Sequence, residues 1–149
     1  MLRSDAEDTM NGSLKDIMTR DVQAVRHDTT LRQVASMMRE SEIGDVLVHD
    51  DKGALLGILT DRDLVIRGVA EGCDPDGTTV GEICTRSVVQ LGPDATVDEA
   101  AQVMRDRAIR RIPVVRDGTT IGIVSIGDLA RVKDPSSALA QISAAPSNN

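Results

Sequence analysis

Two short stretches of this sequence end in the same chemistry. Gly57-Ile58-Leu59-Thr60-Asp61-Arg62-Asp63 and Gly122-Ile123-Val124-Ser125-Ile126-Gly127-Asp128 share a glycine, two aliphatic residues, a hydroxyl residue and, three positions later, an aspartate. At a strand-to-helix junction each part has a physical job. The glycine admits a ligand or another backbone at close range. Thr60 or Ser125 at a helix N-cap sits beside unpaired backbone N–H groups that can hold phosphate oxygens. An ionised Asp63 or Asp128 only accepts hydrogen bonds, which suits the two hydroxyls of a ribose. The same Thr/Ser-x-x-Asp spacing is also a capping-box variant that needs no ligand. The two readings are compatible, because an N-cap is where anions bind.

These endings close two copies of one longer pattern. The segment beginning at Leu14 returns from Val80, offset by 66 residues at first and by 65 after a one-residue deletion in a turn. Each copy opens with a short extended segment (22–25 and 88–91) and an Asp-Thr-Thr or Asp-Ala-Thr turn. A helix follows, in which Leu31, Val34, Ala35 and Met38, or Val97, Ala100, Ala101 and Met104, fall at i, i+3, i+4 and i+7. Thr30-x-x-Gln33 and Thr96-x-x-Glu99 read as capping boxes. Two strands joined by a tight turn come next, 46–49 with 55–59 and 112–115 with 121–124, and Pro113 restricts its strand to an edge or a start. A shorter helix follows from Asp61 and from Ile126. Each copy is thus β-α-β-β-α over some fifty residues, too small to be comfortably stable alone. The expected organisation is a polar tail at 1–12, a first repeat at 13–72, a linker at 73–79, a second repeat at 80–134 and a tail at 135–149 with a short helix at Ala138–Ala144.

Composition narrows the function. Seventeen Lys and Arg against 24 Asp and Glu leave a net charge of −7, which disfavours a nucleic-acid polymer as partner. The chain has no Phe, Tyr or Trp. That removes base-stacking platforms, aromatic cages and tyrosine catalysis, so a ligand must lie against aliphatic side chains and backbone. The N-terminal residues lack the apolar core of a signal peptide, and no apolar run is long enough to cross a bilayer, so the expectation is a cytoplasmic protein without a membrane partner.

The repeated β-α-β-β-α order, the opening Asp16-Ile17-Met18-Thr19, the strand Ile109-Arg110-Arg111-Ile112-Pro113-Val114-Val115 and the twice-used ending resemble the CBS domain. Over residues 13–132 the chain resembles a stand-alone tandem CBS pair, or Bateman module. The resemblance implies an α+β fold of two CBS repeats packed with pseudo-twofold symmetry, and a homodimer formed through helical faces. It also implies a regulatory module that binds AMP, ADP, ATP or S-adenosylmethionine in a cleft between the repeats, as in energy sensing, and signals to a partner protein in trans. Family clefts commonly combine the ending of one repeat with the hairpin strand of the other. Thr60 and Asp63 would then share a phosphate-competent cleft with Arg110 and Arg111. Ser125 and Asp128 would face Gly44 and Asp45, where a carboxylate repels phosphate; that cleft is expected to be empty or to take an uncharged-tail or cationic adenosyl ligand.

Other residues point elsewhere less strongly. Cys84 aligns with Met18 and reads as an apolar slot, while Cys73 falls in the linker. His27 and His49 lack ligand spacing and read as loop or strand-end residues. Met37, Met38 and Met104 read as core. No catalytic ordering, phosphate-binding glycine loop or zinc motif occurs, so neither an enzyme nor a required cofactor or metal is expected. Two alternatives stand beside the nucleotide reading: a ligand-independent interaction or stress-response dimer, and a thiol- or metal-responsive sensor.

Overall fold

The structure is a computed structural model, and it describes residues 12–134. The helix expected at Ala138–Ala144 and both tails lie outside the described residues. In chain order the elements are α1 (Leu14–Ile17), β1 (Ala24–Arg26), α2 (Leu31–Ser41), β2 (Asp45–His49), β3 (Leu55–Thr60) and α3 (Asp61–Asp63), which runs into a π-helical segment (Leu64–Val69). The second set is α4 (Val80–Ile83), α5 (Val97–Arg107), β4 (Arg111–Arg116), β5 (Thr119–Ser125) and α6 (Ile126–Lys133).

Contacts divide the chain into two compact units whose membership crosses the sequence repeats. Among the described residues, one consists of residues 22–88; the other joins residues 12–21 to residues 89–134. Each unit therefore takes its opening helix from the other copy. In the 22–88 unit, Val80, Ile83 and Cys84 of the second copy's opening segment enter the core with Leu31, Val34, Val46 and Leu59. In the other unit Leu14 and Met18 pack with Val97, Ile112, Val124 and Leu129. Leu14 and Val80 are both fully buried, and burial of such side chains contributes about 1.5–3 kcal/mol each.

The local reasons for the elements repeat as well. Thr30 caps α2 in a complete capping box: its hydroxyl accepts from Gln33 N (3.2 Å), and Gln33 Oε1 accepts from Thr30 N (2.9 Å). Thr96 accepts from Glu99 N (3.0 Å), but the expected return bond from Thr96 N to the Glu99 carboxylate is not made, so this cap is one-sided. In the 22–88 unit β1 runs parallel to β2, and β2 pairs antiparallel with β3, setting Val46 opposite Leu59. In the other unit β4 and β5 form a two-stranded sheet, in which every strand is an edge and Pro113 is tolerated. The extended segment expected at 88–91 makes only a parallel bridge, Leu91 to Val114, because Gly92 and Pro93 end the pairing there.

The one-residue slip between the copies lies in the hairpin turns. Asp117 (φ 51°) and Gly118 (φ 82°) make a two-residue turn with positive φ at both positions, the twist that suits a tight hairpin. The first hairpin uses a longer turn, in which Asp50 accepts from Lys52 N (2.8 Å) and Ala54 N (3.0 Å).

Candidate functional site

Both copies of the ending motif fold into the same turn. At the end of β3, Thr60 is extended (φ −111°, ψ 164°) and its hydroxyl accepts from Asp63 N (3.1 Å). Asp63 Oδ2 in turn accepts from Thr60 N (2.9 Å). At the end of β5, Ser125 accepts from Asp128 N (3.2 Å), and Asp128 Oδ2 accepts from Ser125 N (2.8 Å). The hydroxyl and the carboxylate are thus spent first on each other's backbone. The residue after each hydroxyl is tied across to the strand entrance: Asp61 N donates to Gly44 O, and Ile126 N donates to Arg110 O, both at 2.9 Å.

The turns differ in what holds the rest of each carboxylate. Asp128 is 5% exposed, and its Oδ1 is ion-paired and hydrogen-bonded to Arg131 one turn along α6. Asp63 is 16% exposed, and its Oδ1 lies 3.9 Å from Arg67 Nε, beyond hydrogen-bond reach. Arg67 is directed elsewhere, donating to Ile83 O (3.0 Å) and Thr85 Oγ1 (3.2 Å). Sequence reasoning missed both arginines, although Asp63 with Arg67 and Asp128 with Arg131 stand at the i, i+4 and i, i+3 spacings that bring helical side chains together. Arg20 and Arg86 were missed too. Each follows its threonine and donates to the carbonyl five residues back, Lys15 O (2.9 Å) and Gly81 O (2.6 Å), closing the end of an opening helix.

The six residues singled out from the sequence divide between the units. Thr60 and Asp63 belong to the 22–88 unit, while Arg110, Arg111, Ser125 and Asp128 belong to the other. Within that second unit Arg111 pairs in register with Ser125, so two arginines border the Ser125 turn, whereas Gly44 and Asp45 occupy the equivalent place beside Thr60.

Of the two jobs open to the glycines, the structure shows the approach of a backbone. A Cβ on Gly57 would lie 2.4 Å from Thr85 O, and one on Gly122 would lie 3.0 Å from Thr19 O and 2.5 Å from Met18 Sδ. Each glycine is the seat of the opening segment, fixed there by paired bonds between Ile58 and Thr85 and between Ile123 and Thr19.

Cys84 and Met18 fill equivalent buried slots, and burial pushes the Cys84 thiol up from its ordinary value. Cys73 and Cys84 are both free thiols. His49 ends β2, and His27 lies in the turn after β1 with Nε2 2.9 Å from Asp51 Oδ1. Among the described residues no group of three or more His, Cys, Asp or Glu is placed to hold a metal, and no helix is long and apolar enough to cross a membrane.

Two units of one plan, each containing a Thr/Ser–Asp turn, agree with a family-level comparison that matches the CBS domain at residues 14–68 and 80–134. The chain belongs to the CBS-domain family. The CBS pair is 39% identical over 117 residues to hypoxic response protein 1 of Mycobacterium tuberculosis, spanning 78% of this chain and 82% of that one. A crystal structure of hypoxic response protein I with two coordinated zinc ions superposes with a TM-score of 0.74 at 38% identity, over 80% of this chain and 98% of that chain. The CBS domain pair of protein MJ0100, solved with 5-methylthioadenosine and S-adenosyl-L-methionine, gives a TM-score of 0.72 at 26% identity, over 85% and 99% of the two chains.

Proposed function

We propose that this CBS pair is a regulatory module that binds an adenosine-type ligand (AMP, ADP, ATP or S-adenosylmethionine) and passes the binding on to a partner protein in trans, without catalysis of its own. The observation that carries the reading is the Thr60–Asp63 turn. The carboxylate is held in place by a backbone N–H through one oxygen, while the other accepts no hydrogen bond from the described residues. A preset acceptor of this kind suits a ribose hydroxyl, because it is ordered before the ligand arrives. Asp128 is the weaker candidate, since its second oxygen is already taken by Arg131. Arg110 and Arg111 are proposed to supply the positive charge that meets a phosphate, with fork geometry suited to its oxygens. The adenosyl compounds held by the MJ0100 pair support the ligand class. Signalling follows if the ligand binds two states of the module unequally, which is what a shift in population requires.

The test is equilibrium dialysis against the four ligands. The absence of Phe, Tyr and Trp lets adenine absorbance be read on both sides with little protein background. Saturable uptake is expected, lost in Asp63→Ala and retained in Asp128→Ala, with both variants kept well below their melting temperatures. Uptake of none of the four overturns the reading and returns the protein to the ligand-independent class. A thermal shift with Zn²⁺ or oxidant alone would instead favour the thiol- or metal-responsive class.

A further inference from the structure

Asp63 and Asp128 stand in the same turn, but only one of them is closed by its arginine. In α6 the arginine comes three residues on, and Arg131 takes Oδ1 of Asp128. In the 22–88 unit that place belongs to Ile66, which is 48% exposed, and the arginine comes one residue later. It lies within the π-helical segment, where Ala70 N donates to Val65 O (2.9 Å) and the turn is wider than in an α-helix. Such π-helical turns are frequent at functional sites.

Arg67 stands between two sets of acceptors. Its Nη1 donates to Ile83 O (3.0 Å) and Thr85 Oγ1 (3.2 Å), where the opening helix α4 ends. Its Nε lies 3.9 Å from Asp63 Oδ1, about 1 Å too far for a hydrogen bond. A carboxylate is the stronger acceptor for a guanidinium, by roughly a factor of two over a neutral oxygen. The neutral pair nevertheless holds Arg67, because both of its oxygens sit on a segment that is itself fixed. Thr85 N donates to Ile58 O (2.9 Å), Ile58 N donates to Thr85 O (3.0 Å), and Gly57 leaves room for that carbonyl.

We infer that Arg67 is a positioning residue with two alternative partners, the seated 80–85 segment and the Asp63 carboxylate. With the segment seated, Arg67 is drawn away and Asp63 Oδ1 is open to a ligand hydroxyl. When the segment lifts, Arg67 closes on Asp63 as Arg131 closes on Asp128. The coupling is reciprocal: a hydroxyl on Asp63 displaces the rival partner and favours the seated segment. The chain runs on from Thr85 into the other unit at Val89, so seating carries the event at Asp63 along the backbone. The ligand's part in this rests on the ribose reading of Asp63, whereas the exchange of partners does not.

Amide hydrogen exchange at Ile58 and Thr85, followed by NMR in the full chain without ligand, tests that exchange. Asp63→Asn keeps an oxygen for Thr60 N and removes the charge that competes for Arg67. It is expected to slow exchange at both amides about threefold or more, and Arg67→Met to speed it. In the Arg67→Met background Asp63→Asn is expected to change nothing, a coupling that a merely structural arginine lacks. Additive effects would overturn the inference. So would faster exchange in Asp63→Asn, since Arg67 would then bridge both sites at once, and this sign decides the matter even if Arg67→Met does not fold. Adenosine, the part shared by the four proposed ligands, is expected to slow the same amides in the wild type and to bind Arg67→Met without slowing them. Equal slowing in both proteins overturns the coupling. Absence of adenosine uptake in dialysis strikes the ribose reading alone, and the ligand-free cycle still decides the role of Arg67.

Discussion

A hydroxyl and a carboxylate three residues apart do structural work before any ligand arrives, and the two copies divide that work unequally. Thr60→Ala and Ser125→Ala each remove the acceptor for one helix N–H, and an N-cap of this kind contributes about 1 kcal/mol. The aspartates are expected to separate. Asp128→Ala removes a buried carboxylate that accepts from Ser125 N and pairs with Arg131, a loss of about 2–3 kcal/mol for charged hydrogen bonds. Asp63→Ala removes one such bond and a distant arginine, and is expected to cost about 1–1.5 kcal/mol. Urea denaturation of the four variants checks the order. The capping pairs were legible in the sequence because both partners lie within one turn. Arg67 and Arg131 were legible in principle by spacing, yet which arginine turns inward depended on what Ile83 and Thr85 offered to Arg67.

At the scale of the element, the opening helices show what local pattern does not carry. Four-residue helices such as α1 and α4 are far too short to hold together by propensity. They persist because Leu14 and Val80 are buried and because Thr19 and Thr85 pair with the strand beneath them. The glycines that admit those segments are therefore sensitive positions, to different degrees. Gly57→Ala drives a methyl into the backbone carbonyl of Thr85 and is expected to cost about 2–3 kcal/mol. Gly122→Ala meets first the sulfur of Met18, the end of a flexible side chain, and is expected to cost about 1 kcal/mol. Thermal melts rank the two, and equal losses would show that the opening segments are not seated as described. The π-helical segment had no forewarning in the sequence, which reads there as an ordinary helix equivalent to α6.

For the molecule as a whole, acid is the condition that exposes the difference between the units. Hydrogen bonds from Arg26 hold the Asp28 carboxyl below the usual carboxylate range, those from Ala54 and Lys52 amides hold Asp50 there, and the Arg32 guanidinium does so for Asp76. Bonds from Thr79 to Glu82 and from Lys15 to Asp94 act likewise. Groups whose folded values are depressed contribute stability that is complete above their unfolded values, near 4 as a rough figure. That contribution is lost as the pH falls through the lower folded values. Four of the five lie in the 22–88 unit and only Asp94 in the other. Hydrogen exchange stepped from neutral pH to about pH 3 is therefore expected to show the 22–88 unit opening first, with Asp76→Asn reducing the effect. Four of these groups are exposed and Asp50 is half-buried, so added salt should blunt the dependence.

The repeat, the amphipathic helices, the hairpins with their turns and the Thr/Ser–Asp endings can all be read from the order of residues. All of these are written in spacings of a few residues, where backbone geometry and side-chain period act locally. Family membership was legible for the same reason, as an ordered set of local motifs occurring twice. The fold, by contrast, settled that each unit takes its opening helix from the other copy, and that Gly57 and Gly122 make room for a backbone. It alone decided that Asp128 is closed by Arg131 while Asp63 keeps an oxygen in reserve. Those outcomes depend on which distant surfaces bury most apolar area together, and no period in the sequence records that choice.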